Sequence, residues 1–170
     1  VGLGNPLAGD DGVGWHIARR VRLRPETGQR WDALCTMDLL RLADELENRP
    51  ALVLVDALLD ARAPPGSLRR VGDLGALEER GGSAHHLPPV QAILLLRTVR
   101  PSLRDVPVTW LGVTIQDVSV GPSLSDALAG ALDAAVDRVC ALLADIAGGR
   151  EVAIRDRAGG GPPADRPVAQ

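Results

Sequence analysis

The apolar residues of this chain fall into two kinds of run. Val13, Ile17 and Val21 recur at the spacing of one helix face, which predicts a helix over Val13–Leu23. Leu39, Leu40, Ala43 and Leu46 predict a short helix over Met37–Leu46, and Val90–Val99 predicts another, with Pro89 in its first turn. The longest stripe is Leu128, Leu132, Ala135, Val139, Leu142 and Ile146; it follows Gly121-Pro122-Ser123, and Ser123 with Asp126 has the spacing of a capping box. Between the helices lie apolar runs that do not alternate, Ala51–Val55 and Val108–Thr114. A strand that is apolar at every position is covered on both faces, as in a parallel sheet. Val1–Gly4 reads as the end of a strand, Arg30–Cys35 as a second strand and Ser67–Val71 as a short fourth. Strands usually run ~5–6 residues, so the first is expected to be truncated at its N-terminal end.

Strands alternating with helices imply a three-layer α/β/α sandwich. The domain is expected to span residues 1–147. From 148 to 170 the periodicity is lost, and Gly159–Gly161, Pro162 and Pro163 stand among charges, the composition of a disordered tail. At 170 residues the chain has the size of one domain. It has no Tyr and no Phe, so Leu, Val, Ala and Ile must fill the interior.

Charge and cysteines narrow the function classes. The net charge is −3 and no basic stripe is present, which argues against a nucleic-acid partner. All basic residues are Arg, which carries no functional signal. Cys35 and Cys140 form no CxxC pair; they read as small buried thiols in a reducing compartment. No run approaches ~20 apolar residues and no signal peptide is visible, so a cytoplasmic protein without a membrane partner is expected.

The chemistry concentrates in loops. Gly2-Leu3-Gly4-Asn5-Pro6-Leu7-Ala8-Gly9-Asp10-Asp11-Gly12-Val13-Gly14 has the glycine content of a dinucleotide loop, but Leu7 stands where the third glycine belongs. Two adjacent carboxylates would also repel a pyrophosphate. Asp10 is expected to cap the following helix, leaving Asp11 to reach outward. Asp56 follows five apolar residues, at the predicted carboxyl end of a buried strand, where open α/β sheets bind ligands. His85 and His86 lie in a Gly/Ser loop, and His16 on the first helix reads as an ordinary helix residue. There is no Gly-x-Ser-x-Gly elbow and no His-Glu-x-x-His helix. Two Asp and one His suit zinc or nickel with positions left open for a substrate.

Gly2-Leu3-Gly4-Asn5-Pro6-x-x-x-Asp10-Asp11-Gly12-x-Gly14 resembles the opening of the maturation endopeptidases of nickel–iron hydrogenases. The resemblance continues through Leu52-Val53-Leu54-Val55-Asp56-Ala57, Ser83-x-His85 and Leu111-Gly112-Val113, covering roughly residues 1–145. It implies a twisted, mostly parallel five-stranded sheet between helices. It also implies removal of a C-terminal extension from the hydrogenase large-subunit precursor after nickel insertion, by an enzyme of the aspartic-type endopeptidase class. The family's three metal-contacting positions fall on Asp11, Asp56 and His85, with Asp11 and Asp56 also the implied catalytic carboxylates. The nickel would come with the substrate, so no permanent cofactor is implied, and a monomer is expected. Many relatives carry Glu where this chain has Asp11, and Cys35-Thr36-Met37 departs from the family's usual patterns there. Two other readings stand beside this one. A non-catalytic nickel chaperone or binding module would use the same three ligands. A peptidyl-tRNA hydrolase also opens with Gly-x-Gly-Asn-Pro, but needs a Tyr and an Arg-His-Asn stretch that this chain lacks.

Overall fold

A computed structural model describes residues 1–24, 31–71, 87–118 and 121–149. Its named strands are β1 (Leu52–Leu59), β2 (Leu68–Arg70) and β3 (Val108–Ile115), and its helices α1 (Val13–Arg22), α2 (Ala43–Leu46), α3 (Pro89–Val99) and α4 (Asp126–Ala147). The sheet has the order β1-β3-β2. β1 and β3 pair in parallel over their whole length, from Leu52 opposite Val108 to Leu59 opposite Ile115, while β2 is antiparallel to β3.

The expected five strands are not reproduced; among the described residues three are formed. The chain around Gly2 and the chain around Cys35 instead make single parallel bridges, Gly2 to Val55 and Gly2 to Cys35. Leu3 N–H donates to Val55 O at 2.8 Å, and Gly2 N–H to Leu34 O at 2.8 Å. The segment around Gly2 thus lies parallel to β1, and the segment around Cys35 lies parallel to Gly2, each pairing through a single bridge. The run at Ala51–Val55 also extends further than its apolar residues suggest. β3 matches β1 residue for residue up to Ile115, so backbone pairing carries β1 through Asp56 to Leu59.

Side chains alternate between the faces of a strand, and here both faces are covered. Val53 and Val55 of β1 join Leu111, Val113 and Ile115 of β3 against Val13, Ile17 and Val21 of α1 and Leu128, Leu132, Val136 and Val139 of α4. Leu52, Leu54 and Trp110 face the other way, packing with Leu3, Leu39 and Leu46 and with Val90, Ile93 and Leu96 of α3. That is the three-layer arrangement. Arg20–Asp133 and Arg24–Asp137 ion pairs run between α1 and α4, but exposed pairs of this kind contribute little beside the buried stripes.

Met37–Leu46 forms as a 3-10 turn, Leu39–Leu42, running into α2, with the Asp38 side chain accepting from Leu40 N–H. The cap of α4 differs from the sequence expectation. Ser125, not Ser123, is its N-cap, accepting from Leu128 N–H. Cys35 and Cys140 form no disulfide and are only half-buried, which corrects the expectation of buried thiols. Among the described residues no helix is long and apolar enough to cross a membrane. Residues 150–170 and the loop with Ser83, His85 and His86 lie outside the described residues.

Candidate active site

The glycine-rich opening is a packing device. Gly4 has φ +108°, a conformation glycine adopts without strain, and a Cβ there would stand 1.9 Å from Asp11 O. At Gly14, in the first turn of α1, a Cβ would stand 2.3 Å from both Leu3 O and Val55 O. The helix thus rests directly on the backbones of the first segment and β1. The loop between them, Asn5–Ala8, is pressed against a 3-10 turn, Gly9–Gly12, that carries both aspartates.

The two aspartates of that turn point to different tasks. Asp11 Oδ2 accepts from Asn5 N–H at 2.7 Å, closing the loop on itself and leaving its carboxylate half-buried. Asp10 does not cap α1, which has no side-chain cap. It is 5% exposed, and its carboxylate accepts from Ser125 N–H at 2.7 Å and Ser125 Oγ–H at 2.8 Å. The expectation that it caps the nearest helix fails because the turn delivers Asp10 to the N-terminus of α4, where four backbone N–H groups also lack helical partners.

Asp56 is not at the end of its strand but inside it, opposite Gly112. By alternation it shares the face of Leu52 and Leu54, and its Oδ1 accepts from its neighbour Ala57 N–H at 2.9 Å. Burial and, to a smaller degree, the charge of Asp11 push its carboxyl up to about 7; the Ala57 hydrogen bond pulls the other way. The negative charge of Asp11 thus reaches Asp56 and adds to the effect of its burial. His85, the third expected member, lies outside the described residues, and among these no group of three or more His, Cys, Asp and Glu side chains could hold a metal ion. His16 sits half-buried on α1, held below its ordinary value by burial and by Arg20 and Arg19.

The neighbouring segment is set by Thr36, which is buried. Its Oγ1 donates to Asp38 O at 2.7 Å and accepts from Asp38 N–H at 2.9 Å, while Trp15 Nε1–H donates to Thr36 O at 3.1 Å. Met37, beside it, is exposed, as are Leu7, Leu59 and Val118. A cavity of about 480 Å³ is found elsewhere: Trp31, Leu34, Leu52, Pro107 and Ile146 line it at the amino ends of β1 and β3, and neither Asp11 nor Asp56 reaches it.

The link from Asp10 to Ser125 was not legible as chemistry in the sequence. One signal could have found it: Ser125 directly precedes Asp126 and stands three residues before Leu128, the first buried position of the helical stripe.

No family model matches the sequence. The chain is similar to Protein FrxA of Pyrococcus furiosus, 27% identical over 137 residues that make up 79% of this chain and 96% of FrxA. Its structure is similar to the NiFe hydrogenase maturation protease HybD of Thermococcus kodakarensis, with a TM-score of 0.67 and 24% identity over 84% of this chain and 95% of that one. It is also similar to the hydrogenase maturating endopeptidase HybD of E. coli, with a TM-score of 0.62 and 21% identity over 85% and 90% of the two chains. The maturation protease HycI of T. kodakarensis gives a TM-score of 0.62 at 16% identity over 84% and 89%. At these identities the common property is architecture, and on that ground the chain has the fold of the NiFe hydrogenase maturation proteases.

Proposed function

We propose that this protein is an endopeptidase that removes the C-terminal extension of a nickel–iron hydrogenase large-subunit precursor once nickel is in place. The observation that carries the reading is the pairing of Asp11 and Asp56. Two carboxylates whose charges oppose each other, one of them pushed up to about 7, make a place that a divalent cation relieves. The cation in this reading belongs to the substrate, and His85 completes the set by the resemblance of Ser83-x-His85 to the family's motif. A carboxyl group that titrates near neutrality also suits proton transfer at an attacking water, which gives Asp56 a second role once the metal has been recognised. The fold's similarity to maturation proteases supports the reading.

The test is cleavage of nickel-loaded precursor by Asp11→Ala, Asp56→Ala and Asp11→Glu, with circular dichroism to check folding. The alanine variants are expected to fold and to fail to cleave, and Asp11→Glu to cleave. Full cleavage by Asp56→Ala would remove that carboxylate from the site.

A further inference from the structure

Asp11 is held from two directions. On one side Asn5 N–H donates to its Oδ2. On the other, the turn that carries it is tied to the entrance of α4 at two points. Gly9 N–H donates to Gly121 O and Gly121 N–H to Leu7 O, the latter at 3.2 Å, forming a parallel bridge at Ala8 and Gly121. Four residues on, Ser125 directs its backbone N–H and its hydroxyl onto the two oxygens of Asp10. The same hydroxyl oxygen accepts from Leu128 N–H at 3.3 Å. A buried carboxylate with both oxygens occupied, at the positive end of a 22-residue helix, is a strong and directional anchor.

We propose that Asp10 and Ser125 are positioning residues for Asp11: the buried Asp10 carboxylate, fixed by the backbone amide and hydroxyl of Ser125, locks the turn that aims Asp11 toward Asp56. This rests on the reading of Asp11 as a functional carboxylate, and it assigns the preceding aspartate a part in the same site. Adjacent acids in one turn then divide the work, one turned inward to α4 and one outward to the substrate. Anchoring by a helix entrance 115 positions away in sequence lets α4, packed along the sheet by Leu128, Leu132 and Val136, set the site's geometry. Small displacements of a positioned group cost rate out of proportion to their size.

The Asn5 amide proton reports on Asp11 directly, because a hydrogen bond to a carboxylate draws its resonance downfield. In the full chain, Asp10→Asn is expected to move this resonance upfield and to lower kcat on nickel-loaded precursor roughly 10–100-fold, with KM changed by less than about twofold. Ser125→Ala is expected to do the same to a smaller extent, since the backbone amide remains. Ser125→Thr, which keeps the hydroxyl, is expected to restore both. If Asp10→Asn does not fold, the Ser125 pair decides. An Asn5 amide unmoved by Ser125→Ala, or by a folded Asp10→Asn, would overturn the proposal. Should wild-type protein cleave no precursor, the endopeptidase reading falls, while the Asn5 resonance still tells whether Asp10 and Ser125 place Asp11.

Discussion

Asp56 is an ionisable side chain in a strand whose neighbouring positions on the same face are Leu52 and Leu54. Its folded pKa, about 7, lies above its ordinary value of 3.8. The folded chain therefore keeps a proton that the unfolded chain releases between about pH 4 and pH 7. Stability contributed by the neutral group is full below that window and falls as pH rises through it. Asp56→Asn keeps the shape without the charge, so its stability relative to wild type is expected to rise from pH 4 to pH 8. Urea unfolding of both proteins at the two pH values measures this, and a constant difference would mean that Asp56 ionises freely in the folded state. Sequence reading singled out Asp56 because a carboxylate at the end of five apolar residues is conspicuous. It misplaced the strand's end because Gly112 and Val113 continue the pairing with no apolar signal at Asp56 itself. Asp10 was misread for a related reason: a cap is judged from the helix next in sequence, whereas Ser125 is adjacent only in space.

At the scale of elements, the helical stripes were the most legible feature. Val13, Ile17 and Val21 are all buried in α1, and Leu128, Leu132, Ala135, Val139 and Leu142 in α4. The outer sheet positions were less legible, since a segment making one bridge leaves the same sequence trace as a short strand. The glycines separate two physical situations. Gly14→Ala would drive a methyl group into two backbone carbonyls at 2.3 Å. Backbone cannot yield as a side chain does, so a loss of ~3 kcal/mol or more is expected, at or beyond the upper end for overpacking. Gly130, in α4, has nothing within 4 Å of its missing Cβ. Gly130→Ala is expected to gain ~0.5–1 kcal/mol by removing glycine's entropy cost in a helix. Thermal unfolding of both variants checks the pair, and a neutral Gly14→Ala would contradict the close seating of α1 on Leu3 and Val55.

For the molecule as a whole, the 480 Å³ cavity lies at the amino ends of the strands, and neither Asp11 nor Asp56 is among the residues that line it. The proposal of Asp11 and Asp56 as a pair rests on residue type and order in the sequence and on the charge of Asp11 reaching Asp56. The role of His85 rests on motif order alone. We propose that these parts make a peptidase that acts only on metal-loaded precursor. Intact-mass measurement of the precursor after incubation with wild-type protein, with and without nickel installed, tests it directly. The expected result is loss of a C-terminal peptide from the nickel-loaded form and an unchanged mass for the nickel-free form. An unchanged mass in both, from folded protein that retains nickel binding, would contradict it and leave a metal-binding module in its place.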